Sequence, residues 1–444
     1  MAEVTVGIDI GTTSVKAIAA DGDGNVVARA RVPHRLLVPA PGRLEHDADE
    51  AWRRGPGTAF RELAVDRASV RGVSVAAMVP SLTAVDGEGV PVTPGLLYGD
   101  ERGRDGAGDA PRAIAEAGEA LAFLRWCRGE AGDAAGFWPA QAVANRALGG
   151  EAVLDTTTAA TTAPLFDWGT GEWSGETAAE IGITTGQLPR LVPTGHAAGR
   201  VGGDDGPALA SGCIDAFAEQ LVAGADDVGD VLVILGTTLI VWVVSDRDEP
   251  VADHYVIPHT ASGTMLVGGP SNAGGLFLDW LGRLLAPGST TVDPERVPLW
   301  APYPRGERVP FQDPQRRAAV RDLDLTHDAS ALRRAAYEAS GFCARRMIDA
   351  SGVDVRRIVA TGGGTRVDEW VQALADTTGL PVDCVAVPEG GALGSAWLAR
   401  IAAGLEEPTA MVDGRRWART GRQVEPDPRW QAATAQRYER FLAL

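Results

Sequence analysis

The sequence predicts an α/β protein with mixed sheets, built as two related lobes. Three observations carry that expectation. Apolar runs of strand length alternate with segments of helical period through both halves. A strand, a Gly-Thr-Thr turn and a second strand occur together twice, over residues 4–20 and again over 231–244. At 444 residues the chain is long enough for two or three domains and a sizeable core.

The first unit reads as buried strands over 4–10 and 14–20, joined by Gly11-Thr12-Thr13. A turn over 21–25 returns the chain as a third strand over 26–32, an antiparallel opening meander. Acidic residues over 45–50 precede a helix reaching about residue 64. Short strands follow at 72–77 and 82–85, and residues 103–135 read as a surface helix with loose connections. Helices are expected over 137–148, 174–181 and 215–223, with a Thr-rich loop beginning at Leu154. Residues 225–229 suit a lobe boundary, giving lobes of 1–227 and 228–444. The second lobe opens on its own hairpin. Helices follow at 274–286, 328–350, 367–378, 392–403 and 430–442, with strands at 357–361 and 382–387.

A net charge of −18 argues against general binding to nucleic acid or an anionic membrane surface. No apolar run approaches the roughly 20 residues of a membrane span, and the N-terminus shows no basic region followed by an apolar core. The four cysteines are scattered without metal-ligand spacing, which suits reduced thiols in a cytoplasm.

The two Gly-Thr-Thr turns point amide and hydroxyl donors at whatever lies before them, which suits phosphate oxygens. Gly11, Thr12 and Thr13 form the first set, and Gly236, Thr237 and Thr238 the second. They differ two residues upstream, where the first copy has Asp9 and the second Ile234. A carboxylate there can hold a metal ion, directly or through water. Gly362, Gly363 and Gly364 end a buried strand and precede a helix, where ligands of α/β sheets gather. A close strand-to-helix crossing is the alternative, and the two Gly-Thr-Thr turns elsewhere favour a nucleotide contact. Asp215 begins an apolar-faced helix, either as an acid complementing the helix dipole or as a general base. Asp100 and Arg102 read either as ligands of a polyhydroxylated molecule or as a solvated loop with a local ion pair.

In this order the motifs resemble the FGGY family of carbohydrate kinases, in the superfamily of sugar kinases, heat-shock chaperones and actin. The similarity covers nearly the whole chain. It rests on residues 9–16, on Tyr98-Gly99-Asp100-Glu101-Arg102, and on Gly212-Cys213-Ile214-Asp215. It continues through Gly236-Thr237-Thr238, Pro302 to Pro310, Gly362-Gly363-Gly364 with Trp370-x-Gln372, and residues 391–396. The resemblance implies two actin-like, ribonuclease H-like lobes closing over ATP, magnesium and a sugar. Asp215 would be the catalytic base and Asp9 the magnesium ligand. Gly11, Thr12, Thr13, Gly236, Thr237 and Thr238 would meet the phosphates, and Gly362 to Gly364 with Gln372 the adenosine. Met78, Asp100 and Arg102 would face the sugar. Residues 44–52 are similar to the xylulose kinases. Against the family pattern, the run Ala76 to Pro80 is apolar where relatives place polar residues, and Val367 replaces a small polar residue. The implied activity is ATP-dependent phosphorylation of a ketose such as xylulose, in the cytoplasm. A glycerol-type polyol kinase and a non-catalytic sugar or nucleotide sensor are the alternatives. A small-molecule sugar or polyol is the partner, and a homodimer is compatible with the reading.

Overall fold

Each Gly-Thr-Thr hairpin stands inside a seven-stranded mixed sheet, and the two sheets repeat one strand order. The computed structural model describes residues 3–103, 118–259, 263–286, 291–313 and 315–444. The expected surface helix appears as Gly118–Glu130, and the segment before it lies outside the described residues.

The first sheet contains β1 (Val4–Ile10), β2 (Ser14–Ala20), β3 (Val26–Pro33), β4 (Val70–Ala77), β5 (Ala197–Arg200), β6 (Ala208–Ala210) and β7 (Cys213–Ile214). Its order is β5-β6-β4-β1-β2-β3, with β7 paired to the end of β4. The second contains β8 (Asp230–Leu235), β9 (Leu239–Ser245), β10 (Tyr255–Pro258), β11 (Met265–Ser271), β12 (Arg357–Thr361), β13 (Val382–Val385) and β14 (Thr420–Val424). Its order is β10-β11-β9-β8-β12-β13-β14. Reading outward from the meander, β3-β2-β1-β4-β6-β5 and β11-β9-β8-β12-β13-β14 show the same pairings. They run antiparallel, antiparallel, parallel, parallel, antiparallel. The central strands β1 and β8 are buried along their whole length, whereas edge strand β3 alternates half-buried with exposed positions.

The compact units are not two uninterrupted stretches. One comprises Met1–Val222 with Gly390–Trp417, and the other Ala223–Glu389 with Ala418–Leu444. In the first unit the helix Gly390–Ala402 lies on β1 and β4. Its backbone comes so close that a Cβ at Gly7 would sit 1.7 Å from the Ala392 carbonyl, and one at Gly72 2.3 Å from that of Ala399. Two strand glycines thus let a helix rest directly on the sheet.

Two local expectations change. The 137–148 segment divides into a strand, Gly136–Trp138, and a helix, Ala140–Gly149, with Pro139 between them. The Thr-rich stretch is the short helix Thr156–Ala160, because Asp155 caps it by accepting the Thr158 amide.

Candidate active site

In the first unit the hairpin places Asp9 directly across from Lys16 in the ladder. The Lys16 ammonium lies 3.1 Å from Asp9 Oδ2, while the buried Oδ1 has no hydrogen-bond partner. The Gly11 amide donates to the Ser14 carbonyl and closes the turn. Thr12 is held from two sides. Its hydroxyl bonds the Tyr98 hydroxyl at 2.8 Å, and its carbonyl accepts from His46 Nε2 at 2.8 Å. The His46 tautomer follows from its other nitrogen, because Nδ1 accepts the Trp52 indole N–H at 3.0 Å. Withdrawal from water, then the neighbouring His34, lowers the His46 pKa to about 3, so the ring is neutral. Thr13 is exposed.

Asp215 begins the helix Asp215–Ala223 and accepts the Ala216 amide at 2.7 Å. Withdrawal from water, then the Asp9 charge, pushes its pKa up to about 7, with Lys16 opposing. Glu219, one turn further on, is raised to about 8 by its withdrawal from water and then by Asp9. Its Oε2 is buried without a partner. The segment before Asp215 is fixed through Ser211, whose carbonyl accepts from both Gln141 and Asn145 on the helix Ala140–Gly149. Asp155 accepts Gln141 in turn at 3.1 Å and the Thr194 hydroxyl at 2.9 Å.

Met78 is buried in the first unit's apolar core, just beyond β4. Asp100 is fully enclosed. Its carboxylate accepts the Leu44 amide at 2.6 Å, the Arg102 amide at 2.9 Å and the Arg102 guanidinium through Nε and Nη2. Arg102 also reaches Glu45 at 2.7 Å and lies over the Trp126 ring. The Asp100–Arg102 pair therefore fastens its own loop to the strand at Glu45–His46. The solvated-loop alternative fails on burial.

In the second unit backbone holds the turn. The Gly275 amide donates to the Gly236 carbonyl at 2.8 Å, and the Leu276 amide to that of Thr237 at 3.0 Å. A Cβ at Gly274 would lie 2.3 Å from the Leu239 nitrogen, so only glycine admits this contact. Glu307 braces the approach. Its buried carboxylate accepts the Ser271 hydroxyl and the Asn272 amide, each at 2.7 Å, and burial raises its pKa to about 7. Among the three glycines, Gly362 and Gly364 press on Leu235, and Gly364 also on Trp370, while Gly363 is exposed to open space. Gln372 gives its amide hydrogens to Asp376 at 2.8 Å and the Glu425 carbonyl at 3.0 Å.

Residues 4–108 match the N-terminal domain of the FGGY family of carbohydrate kinases, and residues 231–403 match its C-terminal domain. Together the matches cover more than half of the chain. The chain belongs to the FGGY family of carbohydrate kinases. Its fold is that family's actin-like two-lobed fold, and its activity is that of an ATP-dependent sugar kinase. It is similar to a xylulose kinase of Klebsiella pneumoniae, 28% identical over 89% of each chain. It is also similar to a glycerol kinase of Beutenbergia cavernae, 27% identical over 91% of this chain and 90% of that one. The crystal structure of xylulose kinase from Rhodospirillum rubrum superposes with a TM-score of 0.78 at 27% identity, covering 99% of this chain and 98% of that one.

Within this FGGY kinase, sequence reasoning missed Glu219, the clamp on Thr12 and the docking of Gly274 and Gly275. Glu219 was findable, because an acid four residues after Asp215 on an apolar-faced helix shares its face. The Gly274-Gly275 pair was visible only as a helix start.

Proposed function

We propose that the protein transfers the γ-phosphate of ATP to a hydroxyl of a ketose such as xylulose or of a closely related sugar. The observation that carries this reading is the asymmetry between the two Gly-Thr-Thr turns. Both offer donors suited to phosphate oxygens, and only the first has a carboxylate within its own hairpin, Asp9 opposite Lys16, with Asp215 near enough to feel its charge. Phosphoryl transfer asks mainly for positioning and charge neutralisation, so this set of groups is sufficient. Asp215 takes the proton of the substrate hydroxyl. Lys16 opposes the rise in the Asp215 pKa, and the Ser211 anchors hold its segment in place. Gly11 to Thr13 and Gly236 to Thr238 receive the phosphates, and Gly363 offers an open backbone to the adenosine.

Magnesium fits one position. Asp9 keeps a buried oxygen without a partner, the donor chemistry a hard cation takes. Among the described residues no cluster of three ligating side chains surrounds an ion, so ATP phosphates and water would complete its shell. The ion supplies neutralisation of phosphate charge. Asp100 acts by holding the loop that carries Tyr98, and Arg102 by holding Asp100. The four buried free cysteines suit a reducing compartment, which supports a cytoplasmic setting.

Glycerol or another short polyol is the second reading. It is favoured by buried, apolar Met78 and by an Asp100 carboxylate fully engaged within the protein. ADP release with magnesium against ketoses, aldoses, polyols and no acceptor tests both. One sugar raising the rate, with a sugar phosphate formed and both lost in Asp215→Asn, supports the first reading. A response to polyols alone replaces it with the second. A flat panel, or a mutant equal to wild type, overturns the mechanism.

A further inference from the structure

A cleft of 420 Å³ in the first unit is lined by arginines and by none of the catalytic candidates. One wall is the helix running from Asp49–Arg54 into Gly55–Glu62. Helical spacing brings Arg54, Gly57 and Arg61 onto one face, and the missing side chain at Gly57 leaves a groove between two guanidinium groups. The opposite wall is the last turn of Ala140–Gly149, which contributes Arg146, and the rim is the turn at Glu88.

The charge balance is unusual for a chain of net charge −18. Four arginines, Arg53, Arg54, Arg61 and Arg146, line the cleft against one acidic residue, Glu88. Asp49 engages Arg53 and Arg54, the latter at 2.7 Å. Among the described residues no carboxylate forms an ion pair with Arg61 or Arg146. Arg61 donates to the Thr58 hydroxyl at 3.0 Å, and Arg146 donates to the Gly150 carbonyl. Guanidinium groups in a concave site match the oxygens of a phosphate, and the volume lies in the range of small-molecule sites.

Both walls continue to the catalytic segments. Trp52, next to Arg53, carries the indole that holds His46 and through it the Thr12 carbonyl. Asn145, next to Arg146, holds the Ser211 carbonyl four residues before Asp215. We propose that this cleft is a regulatory site for a small phosphate-bearing metabolite of sugar-phosphate size, whose binding is transmitted to Thr12 and Asp215. The site stands apart from the catalytic reading, and its binding test is independent of it.

The test compares wild type with Arg61→Gln/Arg146→Gln, using inorganic pyrophosphate at fixed free magnesium and titration calorimetry. Arg61→Gln alone serves as a second variant that leaves the Arg146 contact with Gly150 intact. The expected result is binding by wild type, weakened about tenfold in the double variant and less in the single one. Basal kinase constants stay unchanged in both variants, and pyrophosphate shifts the wild-type KM for ATP about fivefold more than that of the double variant. No binding by wild type overturns the site. Equal binding in wild type and variants assigns the anion to the phosphate turns and also overturns it. Binding that depends on the arginines but leaves the kinetic constants unmoved overturns the regulation. Since calorimetry needs no turnover, failure of the sugar-kinase reading and failure of this site give different results.

Discussion

The two Gly-Thr-Thr hairpins have the same strands, the same pairing and different means of support. The first turn is held by side chains, with Tyr98 on the Thr12 hydroxyl and the Trp52–His46 relay on its carbonyl. The second is held by main chain, through the Gly275 and Leu276 amides. Side-chain support brings titratable and mutable groups against the turn, together with Asp9, Asp215 and Glu219. Main-chain support depends on the absence of a Cβ at Gly274. The first hairpin is thus open to adjustment through its side chains, and the second through its glycines.

The sharpest break in that comparison is Asp215→Asn. We expect kcat to fall about 10²–10⁴-fold, in line with loss of a general base. With the Asp215 pKa pushed up to about 7, wild-type kcat/KM falls as pH drops through that value. A stopped ADP-release assay across pH 5.5–8.5 (a range of about three units) reads both. A mutant with wild-type turnover would leave Asp215 as a helix-start acid.

Gly274→Ala tests the second hairpin. Overpacking against backbone costs about 1–3 kcal/mol, so urea unfolding should show a lower midpoint and the KM for ATP should rise. Tolerance of alanine there would mean that the docking of Gly275 on Gly236 is soft.

Acid should separate the hairpins. The His46 pKa is lowered from 6.5 to about 3 in the fold, so below about 6.5 the unfolded chain binds the proton and the native one does not. Stability is therefore lost progressively as pH falls through that window. Amide exchange should speed up at β1 and β2 before β8 and β9, and His46→Gln should reduce the effect. Simultaneous loosening of both hairpins contradicts the side-chain account.

The smallest effect is expected for Tyr98→Phe. It removes one buried hydroxyl contact to Thr12 and should lower stability by about 0.5–1.5 kcal/mol, with a modest rise in the KM for ATP.

Much of the fold was legible because its signals are local. Val and Ile runs give the strands, and the repeated Gly-Thr-Thr gives the internal relation that the matching sheet orders display. The helices expected over 174–181 and 328–350 appear as Gly175–Ile181 and Ala329–Ser351, with Ser174 and Asp328 as their N-caps. The membership of Gly390–Trp417 in the first unit was not legible, because a helix of small residues carries no mark of which sheet it will cover. Residue types and order singled out Asp9, Thr12 and Asp215 as candidates, and the first unit brings the Asp9 charge to bear on Asp215. The engagement of Asp100 with Leu44 and Arg102, and of Gln372 with Glu425, depends on partners 2 to 56 positions away that spacing does not specify.

The late return of Gly390–Ala402 has a consequence for biosynthesis. The face of β1 and β4 that this helix covers belongs to strands made in the first fifth of translation. Until the segment after residue 389 leaves the ribosome, that apolar face has no native partner, however early the hairpin itself has formed. Closing a contact between Gly7 and Ala392 joins nearly the whole chain into one loop, so the first unit is begun first and completed almost last. Chains truncated before residue 390 should accordingly be captured by holding chaperones, even though they contain every strand of the first sheet.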